Sequence, residues 1–300
     1  MLTPLQASAC STARMNTPPK TKSDSASSSP RGGRATLFRR AVCTSGVLTA
    51  LLATAVAPAH AITGGQEATR TYPFMASLQD RESGDHFCGG TLVARQWILT
   101  AKHCLLAREG DSASTYVDPR QVRVRLGSND RTQGGRLRHG TRIVGSPEDG
   151  TPGQDVALLE LDAPVGAEPA SLPRAPSRPG DAVRTLGWGD HELPDSPDDP
   201  WLPLPTKLRE LNTHVIDPDR CPGMSGEPIE PHELCVEALP GEGKWPQTTR
   251  SGDSGGPLLA RQGGSWTVLG VVSRGSLDQH AVYGSTYAAL GWIKEAVTKG

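Results

Sequence analysis

No long run of helix-period apolar residues occurs anywhere in this chain, and 34 Gly and 26 Pro interrupt what apolar segments there are. That absence excludes a helical bundle and predicts short strands joined by many turns, an all-β architecture. Net charge is also nearly missing, at −1 overall. The balance is uneven, however. Residues 1–61 carry seven of the 31 basic residues and one acid, Asp24, which leaves 24 bases against 31 acids, a net of −7, on the rest. An acidic remainder argues against nucleic acid or an anionic membrane as partner. No CxxC spacing is present, which counts against zinc as the purpose of the cysteines. What remains, 36% hydrophobic and 21% charged, is the composition of a soluble globular protein with a sizeable core.

The N-terminus separates from the rest. Residues 1 to about 36 are rich in Ser, Thr, Pro and Ala, too polar to bury a core, and read as disordered. Arg39 and Arg40 then precede a mostly apolar stretch, Ala41 to Ala57, followed by Pro58 and the small-residue pattern Ala59-His60-Ala61. This is the layout of a secretory signal peptide cleaved after Ala61. A membrane anchor is the alternative, but the stretch falls short of the roughly 20 residues a spanning helix needs. The arginine pair also resembles a twin-arginine export signal, although the apolar residues expected directly after it are only partly present. The expected boundaries are thus 1–61 for the disordered n-region and signal peptide and 62–300 for the secreted, extracellular domain.

Export changes the meaning of the cysteines. Cys10 and Cys43 lie in the discarded segment, leaving Cys88, Cys104, Cys221 and Cys235. Four cysteines in an oxidising compartment predict two disulfides; three pairings are possible, and nearest-neighbour pairing is favoured.

Three motifs carry chemistry. Gly252-Asp253-Ser254-Gly255-Gly256-Pro257 precedes an apolar segment, and glycines around a serine leave its hydroxyl unobstructed and let backbone N–H groups converge on one point. In isolation the hexapeptide reads better as a turn before a strand. Trp97 to Cys104 (Trp-Ile-Leu-Thr-Ala-Lys-His-Cys) places His103 after a strand and beside a cysteine, where its ring can hold the fixed orientation a general base needs. Gln154-Asp155 stands at the mouth of the apolar run Val156 to Leu161. An acid there is commonly a turn residue; otherwise it is a carboxylate that orients the histidine.

In the order His, Asp, Ser, these motifs resemble the trypsin-like serine proteases over Ile62 to Gly300. The resemblance extends to Phe87-Cys88-Gly89-Gly90-Thr91-Leu92, Gly187-Trp188-Gly189, Val272-Ser273-Arg274-Gly275 and the terminal Gly291-Trp292-Ile293. It implies two packed six-stranded antiparallel β-barrels of chymotrypsin-like fold, divided near 170–185. A short C-terminal helix should follow, with Leu290, Ile293 and Val297 on its apolar face. It implies disulfides Cys88–Cys104 and Cys221–Cys235. It also implies an acyl-transfer endopeptidase in which Ser254 is the nucleophile, His103 the base and Asp155 its orienter. Gly252 and Ser254 would supply the oxyanion-hole amides, and Ser273 to Gly275 would grip the substrate backbone. A freed Ile62 amine, opening Ile62-Thr63-Gly64-Gly65, would pair with Asp253, so that export itself activates the enzyme; the plainer reading has Ile62 merely begin a strand. Protein or peptide substrates and protein protease inhibitors are the implied partners, with no cofactor, no metal and no membrane anchor after signal cleavage. The excess of Arg over Lys, 24 to 7, is of the kind GC-rich bacterial genomes produce.

The same hexapeptide fits the G-x-S-x-G of α/β-hydrolases, but those enzymes place acid and base after the nucleophile, and here only His280 follows. Departures from the trypsin pattern concern specificity. Thr248, six residues before Ser254, stands where cleavage after Arg or Lys requires an acid, and a neutral pocket base cannot compensate a buried cation. Asp278 is a conceivable substitute. Arg250 replaces a cysteine and Arg274 an aromatic; two arginines there would favour acidic substrates, though each is read first as a surface residue. The Ser128-Asn129 loop lacks the leading acid of calcium-binding relatives, and Glu192 to Pro205 reads as an enlarged surface loop. A secreted binding protein on the same scaffold is the rival function.

Overall fold

A computed structural model describes residues 62–107, 115–147, 154–191, 203–221, 229–241, 245–275 and 280–299. The expected n-region and signal peptide, Asp278 and residues 192–202 of the long loop lie outside the described residues.

Six strands close into a first barrel: β2 (Met75–Asp80), β3 (His86–Ala94), β4 (Trp97–Thr100), β5 (Val122–Leu126), β6 (Arg136–Gly145) and β7 (Ala157–Leu161). They pair in the order β2-β3-β4-β7-β6-β5 and back to β2, all antiparallel. Strand β5 shows why: Val122, Val124 and Leu126 point inward while Arg123 and Arg125 alternate outward, the period-two pattern of a half-buried strand. The second barrel is formed by β8 (Ala182–Gly187), β9 (Arg209–Ile216), β10 (Glu233–Val236), β11 (Pro257–Gln262), β12 (Ser265–Arg274) and β13 (Ala281–Ser285). Its order is β9-β10-β13-β12-β11-β8, closed by β8 pairing with β9; the two-residue β1 (Gln66–Glu67) adds to the outside of β9. Residues 162–181 connect the barrels. The chain ends in α1 (Leu290–Lys299), with Ile293 buried and Leu290 and Val297 half-buried on one face.

Both expected disulfides form. Cys88–Cys104 ties β3 to the short 3-10 turn Lys102–Leu105, and Cys221–Cys235 ties the end of another turn to β10. Among the described residues no helix is long and apolar enough to cross a membrane.

Two irregularities matter for function. In β3, Leu78 faces Cys88 and Gln79 faces His86, so Phe87 is an extra residue. In β12, Val272 faces Tyr283 and Arg274 faces Val282, so Ser273 is the extra one. Each is a β-bulge, which re-aims the neighbouring side chains.

Candidate active site

The 3-10 turn after β4 holds His103, and the disulfide at the adjacent Cys104 fixes that turn to β3. Asp155 lies just before β7, whose pairing with β4 brings it under the imidazole. Its carboxylate grips His103 twice: Oδ2 lies 2.7 Å from Nδ1, and Oδ1 accepts the His103 backbone N–H at 2.8 Å. The bulge at Ser273 turns its hydroxyl onto the same Oδ2, at 2.7 Å. Burial alone would raise the Asp155 carboxyl, but the His103 and Ser273 bonds hold it below the ordinary carboxylate range. Asp155 is therefore ionised, and Nδ1 carries a proton that it donates to Asp155.

Ser254 comes from the other barrel. It shares with His103 a cleft of about 640 Å³ whose walls include Phe87, Leu106, Val117 and the Cys88–Cys104 disulfide. Nε2 of His103 lies 3.7 Å from Cys104 Sγ, and among the described residues no hydrogen bond joins it to Ser254. The Ser254 turn docks directly on the first barrel, with Gly89 N donating to Ser254 O at 2.7 Å. A Cβ on Gly89 would lie 2.8 Å from Gly256 Cα, so a side chain there would push the barrels apart.

Around Ser254 the backbone amides divide into two sets. Those of Asp253, Gly255 and Gly256 donate to Arg250, Val272 and Asp253 carbonyls. Those of Gly252 and Ser254 donate to nothing among the described residues. Unpartnered amides on alternate residues of a glycine-rich turn are the donor pair an oxyanion requires.

Asp253 points away from the cleft into the protein. Its carboxylate accepts from Gly189 N at 2.7 Å and Arg250 N at 2.8 Å, and a Cβ on Gly187 or Gly189 would collide with it, which accounts for the Gly-Trp-Gly motif. Burial pushes its pKa up to about 7 despite those two amides. The chain from Ile62 threads beside the same residues. Thr63 pairs with Thr248 and its hydroxyl accepts from Arg250 Nε at 3.3 Å. Ile62 is fully buried at φ 46°, a left-handed conformation that costs a β-branched residue about 1–3 kcal/mol.

The reading of both arginines as surface residues fails. Arg250 is buried against Thr63 and Pro246 O, because its position faces the inserted Ile62 segment. Arg274 is half-buried and makes a bidentate pair with the buried Glu233, its Nη2 lying 2.7 Å from Oε2. Thr248 is buried, and Gly275 is exposed just past β12.

Sequence reasoning overlooked His86. Its Nε2 lies 2.9 Å from Gly252 O and its Nδ1 2.8 Å from Ser77 Oγ. A carbonyl only accepts, so Nε2 carries the proton and Ser77 donates to Nδ1. Burial pushes the imidazole down to about 4, opposed by the Gly252 bond and reinforced by the charge of Arg131. It therefore stays neutral. No local signal marks His86, since its partner lies 166 residues away.

The two barrels, the His103–Asp155 couple and the glycine-rich Ser254 turn accord with the comparison with known families. The family model described as Trypsin matches residues 62–293, and the chain belongs to the trypsin family.

Proposed function

We propose that the protein is a secreted serine endopeptidase that acts through an acyl-enzyme. The observation that carries this reading is the Asp155 grip on Nδ1 of His103, which leaves Nε2 as the ring's base in the cleft that also holds Ser254. A small swing of the imidazole from Cys104 Sγ toward Ser254 completes the couple, as catalytic hydrogen bonds often tighten only when substrate is bound. Nε2 takes the Ser254 proton as Oγ attacks the scissile carbonyl, Gly252 and Ser254 amides stabilise the oxyanion, and the protonated ring then gives its proton to the leaving amine. Ser273, by bonding Asp155, adds a second restraint on the carboxylate.

Activation follows from cleavage after Ala61. Cutting there turns the strained Ile62 amide into an ammonium that pairs with the buried Asp253 in the active form, relieving the left-handed backbone and giving the carboxylate a cation. No separate zymogen stage is then needed. The substrates are proteins or peptides, and protein protease inhibitors bind the same cleft. Thr248, in place of an acid, offers an Arg or Lys side chain no charge to pair with, and Arg250 is withdrawn to the Ile62 segment.

The test is hydrolysis of an unfolded protein and of a mixed peptide library by the exported chain, with N-terminal sequencing of the active material. Cleavage by a chain beginning at Ile62, absent in Ser254→Ala and not confined to Arg or Lys sites, is expected. An inert, correctly processed chain that still captures peptides would instead mark a binding protein.

A further inference from the structure

The peptide that carries the Gly252 amide has little of its own to hold it. Gly252 sits at φ 93°, and without a Cβ the preceding peptide plane can turn over at small cost, which would swing the N–H out of the oxyanion hole. Two outside groups restrain the residue instead, one holding the following peptide, Gly252–Asp253, and one covering the α-carbon. His86 holds the carbonyl of Gly252. The other is Leu204: a Cβ at Gly252 would come 3.1 Å from its Cδ1 and 3.4 Å from its Cδ2, beside Gly189 Cα at 3.0 Å, so the leucine methyls help to cover the glycine.

Leu204 stands between Pro203 and Pro205, outside any strand. Its position is set from the first barrel by Arg131, in the loop after β5. The Arg131 backbone N–H donates to Thr206 O at 2.9 Å, its Nε to Pro205 O at 2.8 Å and its Nη2 to Leu204 O at 2.8 Å. Flanking bonds extend the seam, from Leu208 N to Asn129 O at 2.6 Å and from Lys207 Nζ to Asp130 Oδ2 at 3.1 Å. The Arg131 carbonyl in turn accepts from Gln79 Nε2 at 2.6 Å, and the same nitrogen donates to Ser77 Oγ at 3.0 Å, the hydroxyl that bonds His86. Both restraints on Gly252 thus root in one polar chain, Ser77–Gln79–Arg131.

We infer that Arg131 is a positioning residue for the proposed hydrolysis: by gripping the Leu204 and Pro205 carbonyls it keeps Leu204 pressed on Gly252, and so keeps the Gly252 amide aimed at the developing oxyanion. The inference rests on the assignment of that amide as an oxyanion donor. Arg131 touches no reacting atom, and its planar fork matters because two successive carbonyls must be held at once.

The experiment compares Arg131→Ala, Arg131→Lys, Leu204→Ala and the Arg131→Ala/Leu204→Ala pair in the processed full chain. Two readouts are taken: kcat and KM on a peptide amide per phosphonate-titrated site, and hydrogen exchange of the segment spanning Gly252 to Ser254. Loss of an oxyanion donor outright lowers kcat by about 10² to 10³, so loosening one should cost about tenfold in each alanine variant, with KM changed less than about twofold. Because both residues act on one peptide, the pair should be no slower than the worse single variant. Lysine supplies a point charge without the fork and should restore only part of the loss. Exchange should quicken in the same order. Unchanged kcat per titrated site and unchanged exchange, with only a lowered melting temperature, would overturn the inference. Should Arg131→Ala not fold, Leu204→Ala, which removes only half-buried methyls, decides by the same readouts. A wild type that never hydrolyses peptide refutes the proposed function, while its exchange response still tests the positioning.

Discussion

The two barrels are built on different terms. Among the described residues, the first barrel buries only uncharged polar groups in its strands, Ser77, Gln79, His86, Thr91 and Thr100, around an apolar core. The second buries Arg209, Glu210, Glu233, Arg250 and Asp253. Its apolar residues are spread over three clusters, one of them continuous with the core of the first barrel. A core whose polar groups stay neutral above about pH 4, where His86 titrates, keeps one geometry over that range, whereas buried charges depend on partners and protonation. The first barrel therefore suits a fixed holder for His103 and Asp155. The second holds Asp253, the buried acid to which the proposed activation would supply a cation.

Substitutions at the proposed catalytic groups test whether both barrels are needed. Ser254→Ala in the second barrel should lower kcat on the order of 10⁶-fold. Asp155→Asn in the first, which leaves the shape but lets the ring take the wrong tautomer, should cost about 10⁴-fold. Steady-state kinetics with unchanged circular dichroism would check both. A similar rate for Asp155→Asn and wild type would break the division of labour.

Titration sharpens the contrast. With the bond before Ile62 intact, Asp253 titrates at about 7 when folded, far above an ordinary carboxyl, so its contribution is complete below about pH 4 and fades as pH climbs through 7. Denaturant titration of the uncleaved chain, held by Ala61→Phe, should show a loss of roughly 4 kcal/mol across that window. In the processed chain the freed amine, ordinarily near about 7.7 to 8.0 and raised by pairing, keeps both stability and activity until pH passes that range. Identical pH profiles for the two forms would remove the coupling.

The smallest effect separates the disulfides. Each closes a loop of about 15 residues, so replacing either pair by alanine should lower stability by about 3 kcal/mol. Only the Cys88–Cys104 replacement should also lower kcat per titrated site, because it alone frees the turn that carries His103.

Much of this was legible in the chain, for identifiable reasons. Alternation in β5 and the apolar run of β7 disclose the barrel strands, since burial on one or both faces leaves a pattern within a few residues. His103, Asp155 and Ser254 stand in short motifs whose neighbours the fold constrains locally. The bulges at Phe87 and Ser273 left no such trace, because one extra residue changes register without changing composition. Arg274 looked like a surface residue because its partner Glu233 is 41 positions away and adjacent only across the folded barrel. The supports of Gly252, His86 and Leu204, reach it from distant segments for the same reason.

The claim that a base from the first barrel activates a nucleophile from the second is tested most directly by mass spectrometry of the processed chain after treatment with a serine-directed phosphonate. One adduct per molecule on Ser254, slowed by orders of magnitude in His103→Ala and absent in Ser254→Ala, is the expected result. Labelling that ignores His103, or that persists without Ser254, would contradict it.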